Sequence, residues 1–160
     1  MNGDALPDDL WAALERLGAA VAGAGLRDDW WLFGGAAMAL VGLRDWCVPD
    51  IDVLTSPGDA RRLIATLKGE IVTDPGEGQF RSRVYGRADG QAVPIEVMAG
   101  LEVRTGADWL PVAFRTRTPV AVGRHILHIP APAEQIAMAR QFGRPKDLAR
   151  ADALERLNPA

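Results

Sequence analysis

The sequence predicts an α+β fold: one mixed β-sheet with helices packed on it, closed by a C-terminal helical segment. Three observations predict it. Short apolar runs alternate with helix-spaced segments from Pro7 to Lys68. A middle stretch follows in which strand-like runs succeed one another with turn residues between them. The tail from Ala133 to Leu157 then returns to helical spacing.

The elements follow in order. Leu10, Trp11, Leu14, Leu17 and Val21 repeat at helical spacing, so Pro7 to Ala24 is expected as a helix. Asp8 and Asp9 suit its positive N-terminal end, and Gly23 and Gly25 its stop. Trp30-Trp31-Leu32-Phe33 reads as a buried strand, ended by Gly34-Gly35, with a short helix over Ala36 to Leu43. Asp50 to Leu54 is the next strand. Ser56 as N-cap and Pro57 at the first helical position open a helix to about Lys68. Strands are expected at Ile71 to Val72, Phe80 to Tyr85 and Ala92 to Met98, the last two joined by an Asp89-Gly90 turn. Val112 to Arg117 and Val120 to Ile129 suggest further strands, with Gly123 at a bend. The tail reads as two helices broken near Gly143-Arg144-Pro145.

The chain has 160 residues, 48% of them hydrophobic, which suits one domain over residues 1–160 with one core. The formal net charge of -3 lacks the overall positive field of non-specific nucleic-acid binders. The lone Cys47 excludes an internal disulfide and reads as an inert, small apolar residue. The start of the chain carries Asp4, Asp8 and Asp9 without a basic stretch, unlike a signal peptide, and no apolar run is long enough to span a bilayer. A cytoplasmic protein with no membrane partner is expected.

The chemistry concentrates between Gly34 and Leu54. Strand side chains alternate faces, so Asp50 and Asp52 point one way, Ile51 and Val53 the other. Two adjacent carboxylates repel, and a divalent cation between them removes that penalty. Oxygen-only ligands at this spacing suit Mg²⁺ or Mn²⁺ rather than zinc. Gly34-Gly35, between a strand and a helix N-terminus, lets the backbone approach a ligand closely, and the helix end offers N–H groups to a phosphate. Together these describe a site for a metal-bound triphosphate.

The segment resembles the motif of the DNA polymerase beta-like nucleotidyltransferase superfamily: Gly-Gly, a short helix, then Asp-x-Asp on the next strand. The resemblance implies that fold, with Gly34 and Gly35 holding nucleotide phosphates and Asp50 and Asp52 binding two metal ions. It implies a third carboxylate on a later strand. Glu96, within Pro94-Ile95-Glu96-Val97-Met98, is the candidate; it would complete the metal site and help activate an attacking hydroxyl. The tail, with Arg144, Lys146 and Asp147, is similar to the closing motif of abortive-infection-type bacterial nucleotidyltransferases. Arg44 and Lys146 are further candidates for offsetting phosphate charge.

The resemblance implies an enzyme that moves a nucleoside monophosphate from an NTP, with ATP first among them, to a hydroxyl acceptor on RNA, protein or a small molecule. A chain this short leaves little room for a second recognition domain, which points to a partner protein, a homodimer or a small acceptor; membership of a toxin–antitoxin pair is one such arrangement. The alternative is a degenerate nucleotide- or RNA-binding module. Arg81, Arg83, Tyr85 and Arg87 alternate and would share one strand face, which reads either as a solvated sheet face or as a basic stripe for phosphates. His125 and His128 are read as structural.

Overall fold

The computed structural model describes residues 5–74 and 78–159. The acidic start at Asp4 lies outside them. Helix α1 (Asp8–Ala24) ends at Gly25, which takes φ 64° and ψ 46°; that left-handed conformation is the one a glycine stop supplies without steric cost. Gly18, in the middle of α1, leaves room for a neighbour, because a Cβ there would stand 2.5 Å from the Cβ of His125. His125 is therefore packing material, and His128 stands edge-on to the Trp30 ring at 5.4 Å.

Strand β1 (Trp31–Phe33) runs straight into helix α2 (Gly34–Leu40). The expected helix over Ala36 to Leu43 thus begins two residues earlier, and the glycine pair forms its first turn rather than a loop before it. Strand β2 (Ile51–Leu54) is followed by helix α3 (Pro57–Thr66), whose N-cap Ser56 accepts from the Asp59 N–H. Strands β3 (Glu70–Ile71), β4 (Phe80–Arg81), β5 (Val84–Ala88) and β6 (Ile95–Ala99) come next. The chain then forms β7 (Glu102–Thr105), β8 (Asp108–Pro111), β9 (Thr118–Val122) and β10 (His125–Ile129) before helices α4 (Pro132–Phe142) and α5 (Pro145–Leu157).

The main sheet has the order β1-β2-β6-β5-β3. Only β2 and β6 are parallel among its pairs; the others are antiparallel, so the sheet is mixed as expected. Its two faces divide the labour. Leu32, Ile51, Val53, Ile95, Val97, Val84 and Ala88 point to one side and join Leu14, Leu17 and Leu63 in the principal core beneath α1 and α3. Gly86 lies on that side because Ile64 of α3 fills the space: a Cβ there would be 2.3 Å from Ile64 Cδ1. The alternate residues face the other way. Phe33, Leu54 and Met98 of this second face build a smaller apolar cluster with Leu101, Phe114 and Phe142. Asp52, Glu96, Tyr85 and Arg87 share that face by register and alternation.

Two strand expectations are corrected, and one hairpin is added to them. Phe80 to Tyr85 is not one strand: β4 belongs to a three-stranded sheet with β7 and β8, while β5 belongs to the main sheet. The chain changes sheets at Ser82, whose N–H is taken by Asp74 Oδ2 at 2.6 Å. The common face of Arg81, Arg83, Tyr85 and Arg87 is therefore broken. Arg81 pairs with Glu102, and only Tyr85 and Arg87 remain side by side. Val112 to Arg117 is not a strand either. The Arg115 and Thr116 N–H groups go to the Glu134 carboxylate at 2.8 and 3.0 Å instead of a ladder. The β7–β8 hairpin, turned at Gly106 with φ 62°, was not expected from the sequence. Among the described residues no helix is long and apolar enough to cross a membrane.

Candidate active site

The second face of the main sheet opens into a cavity of about 360 Å³. Parallel pairing of β2 with β6 sets Asp52 directly beside Glu96, and Asp50 lies just ahead of β2 on the same side. All three carboxylates line the cavity, and so do Gly34 and Gly35. Strand alternation is what brings them together, since Ile51, Val53, Ile95 and Val97 take the opposite face into the core.

Burial raises the Asp52 carboxyl well above its ordinary value, and repulsion from Asp50 and Glu96 adds to it. Arg144 pulls the other way. Asp50 is raised by burial and by Glu96, and opposed by Lys146, Arg87 and Arg150. The cluster is thus a place where negative charge is held under strain and a cation would relieve it. Glu96 is oriented from its far side: its Oε1 accepts from the Tyr85 hydroxyl and from Arg87 Nη1, both at 2.7 Å. Burial and this bond push the Tyr85 hydroxyl up, so Tyr85 stays a donor. Among the described residues no three His, Cys, Asp or Glu side chains stand as a ready-made metal cage.

Gly34 takes φ 71°, and a Cβ there would stand 3.0 Å from Asp52 Oδ2. Both facts require glycine at this position. A Cβ on Gly35 would meet the Arg150 guanidinium at 3.3 Å. Arg150 donates from Nη2 to the Cys47 carbonyl at 2.9 Å and lies over the Trp46 ring at 6.0 Å. The glycine pair therefore carries a cation against it.

Lys146 and Arg150, one helical turn apart near the start of α5, both line the cavity. Arg144 also lines it; Asp147, buried, accepts from Arg144 Nε at 2.6 Å and Nη2 at 3.0 Å, and the guanidinium stands over the Phe80 ring at 4.9 Å. The residues marked in the tail thus reach the same cavity as those marked between Gly34 and Leu54. Arg44 is not among the residues that line it; the position against the glycine pair belongs to Arg150. Arg150 escaped the sequence reading, although its spacing of four from Lys146 on a helix was the available signal. Cys47 is exposed, not part of a core. The rest of the lining is apolar and aromatic, with Phe33 beside Asp52 on the sheet, then Phe114, Met138 and Phe142 and the buried amide of Gln135. No sequence pattern marked Gln135; its only signal was helical spacing with Met138 and Phe142.

No protein-family model matches the chain, and no curated protein matches it in sequence. Solved structures do resemble it. A Thermotoga maritima protein assigned as a nucleotidyltransferase matches with a TM-score of 0.73 at 15% identity, over 96% of this chain and 94% of that one. The lincosamide antibiotic adenylyltransferase LnuA, in its lincomycin-bound form, matches with a TM-score of 0.60 at 11% identity, over 96% and 99%. ANT(2")-Ia, in complex with adenylyl-2"-tobramycin, matches with a TM-score of 0.58 at 13% identity, over 94% and 89%. At these identities the likeness shows the fold, which is the one these nucleotidyltransferases share.

Proposed function

Starting from a nucleotidyltransferase fold, we propose that this chain is a metal-dependent nucleotidyltransferase, moving a nucleoside monophosphate from an NTP, ATP first among them, to a hydroxyl acceptor. The observation that carries the reading is the convergence of Asp50, Asp52 and Glu96 on one sheet face, in a cavity that also holds the glycine pair, Lys146 and Arg150. The donor set fits Mg²⁺ or Mn²⁺: it is all oxygen, and burial, with repulsion from Glu96 added to it, raises both Asp50 and Asp52. Asp50, Asp52 and Glu96 would hold the ions, which when bound supply Lewis acidity and offset charge on the phosphates.

The chain's own residues do the rest. The backbone at Gly34 and Gly35 seats the β- and γ-phosphates, and Lys146 and Arg150 balance their charge. The acceptor oxygen forms a bond to the α-phosphorus as the bond to the pyrophosphate oxygen breaks, and the hydroxyl proton passes to Glu96. Tyr85 and Arg87 fix the rotation of Glu96 for that transfer. The apolar wall excludes water, which disfavours hydrolysis of the NTP. Catalysis on this scheme is mostly positioning and electrostatics. Structural neighbours solved with lincomycin and with an adenylylated tobramycin make small hydroxyl compounds the first acceptors to test.

The test is pyrophosphate release from each of the four NTPs with Mg²⁺ or Mn²⁺, alone and with bulk RNA, cell lysate or small hydroxyl compounds. The protein should release pyrophosphate, and Asp50→Asn/Asp52→Asn should abolish it. A second reading, a binding module without turnover, draws on the engagement of Glu96 by both Tyr85 and Arg87. Nucleotide binding with no release under any condition would favour it.

A further inference from the structure

The part of the cavity lined by α4 has a feature that phosphate chemistry does not use. Gln135 on α4 is 4% exposed, and it lines the cavity. Its Nε2 donates to the Pro130 carbonyl at 2.8 Å, which fixes the amide so that Oε1 is the remaining group. Among the described residues nothing donates to that oxygen, and it is itself enclosed, so a ligand in the cavity reaches it only as the side chain turns towards the opening. A buried acceptor without a donor is costly, and it discriminates strongly once a ligand can supply one.

Around it the wall is aromatic and thioether. Phe33 and Phe114 stand 5.6 Å apart, ring centre to ring centre, and Met138 and Phe142 complete the chamber. Such a surface takes a flat, apolar body, and one polar group placed within it sets orientation.

We propose that Gln135 is a specificity-determining residue: its Oε1 accepts a hydrogen bond from an N–H or O–H carried by the flat, apolar-bodied part of the ligand that fills this chamber. The proposal rests on the nucleotidyltransferase reading only for the identity of that ligand. Two sources present this chemistry, the exocyclic amine of a nucleobase and a donor on the acceptor substrate.

Two ligand pairs, each differing in one donor, distinguish them. ATP and purine riboside triphosphate, which lacks the exocyclic amine and carries no donor in its place, are titrated with Mg²⁺ by calorimetry. Indole and benzofuran, titrated without nucleotide, differ in one ring N–H. The expected result is a preference of about tenfold or more for the donor-bearing member of one pair, lost in Gln135→Met and kept in Gln135→Glu. Preference for ATP assigns the chamber to the base; equal binding of the nucleotides with preference for indole assigns it to the acceptor. In the unmutated protein the Gln135 side-chain amide resonance should shift with the selected ligand and not with its partner, a readout that does not depend on a variant folding. Absence of preference in both pairs, or preference that survives Gln135→Met, overturns the proposal. Selection of indole by a protein that neither binds NTP nor releases pyrophosphate would sink the enzymatic reading and leave the role of Gln135 standing.

Discussion

Asp52 and Asp59 are both held away from solvent by the fold, yet their surroundings drive them in opposite directions. Asp52 is half-buried beside two other carboxylates, and desolvation together with their repulsion makes the folded protein hold its proton more tightly than the unfolded chain does. Its folded value lies above the unfolded one. Stability therefore falls as pH rises from the unfolded value towards the folded one, and the cost is fully present above it. Asp52→Asn should raise the melting temperature at pH 7 by a few degrees, about 2–4 °C, while removing activity. Added Mg²⁺ should raise the melting temperature of the unmutated protein and not of Asp52→Asn. Thermal melts with and without the ion check both statements. A lower melting temperature in Asp52→Asn would show that the carboxylate cluster is not a site of repulsion.

Asp59 is the opposite case. Burial alone would raise it, but the N–H groups of Asp28 and Arg27, at 2.7 and 2.9 Å, and the Arg62 guanidinium outweigh that and hold it below its ordinary value. Its contribution is present above the unfolded value of about 3.9 and is lost as pH falls through the lower folded one. Asp59→Ala should cost about 1–3 kcal/mol in urea unfolding at pH 7, because the Arg27 and Asp28 N–H groups and the Arg62 guanidinium lose their buried acceptor. The difference from the unmutated protein should hold down to about pH 5 and shrink below pH 4.

At the level of elements, the fit between α3 and the sheet depends on a missing side chain. Gly86 accepts Ile64 in the space where a Cβ would stand. Gly86→Ala should destabilise by about 1–3 kcal/mol through overpacking, and Ile64→Ala in the same chain should recover part of it. Additive losses in the double variant would mean that the two residues do not share this space. The α4 and α5 pair has a different role. Leu154 and Ala151 are fully buried with Met38, Leu43 and Ile136, and this contact fastens α5 over α2. Leu154→Ala should cost about 2–5 kcal/mol. It should also weaken Mg²⁺–ATP binding at temperatures where the protein is still folded, because Lys146 and Arg150 are carried by the same helix. Unchanged affinity would separate the docking of α5 from the site.

On the scale of the whole molecule, the site is a meeting of distant segments. The glycine pair and the aspartates come from the first third of the chain, Glu96 from the middle, and the cations from the last helix. Arg150 reaches the Cys47 carbonyl across 103 positions of sequence. On the proposed function, in which Arg150 offsets phosphate charge, Arg150→Ala should raise the KM for NTP by about tenfold or more, with a smaller effect on stability. Steady-state kinetics against a thermal melt reads the two apart. A loss of stability with unchanged KM would make Arg150 a strut rather than a ligand.

Local rules in the sequence were sufficient for much of this. Period-two alternation put Asp50 and Asp52 on one face, and helical spacing with Ser56-Pro57 and Gly143-Arg144-Pro145 set the starts of α3 and α5 and the break before α5. The Asp89-Gly90 turn joined β5 and β6, and the alternation around Glu96 made it a strand residue of the same kind as Asp52. These signals are carried by neighbours a few residues apart. What they did not contain was which strands pair. The parallel register that sets Glu96 beside Asp52 follows from where β6 lies in the sheet, and the split of Phe80 to Tyr85 follows from Asp74 capturing the Ser82 N–H. The loop at Val112 to Arg117 is apolar enough at its start for a strand, but its Arg115 and Thr116 N–H groups go to the Glu134 carboxylate. Arg150 against Gly35, and the unpartnered oxygen of Gln135, are likewise outcomes of packing between segments far apart in the chain. Periodicity decides which way a side chain points; only the assembled sheet and the helices laid across it decide what it meets there.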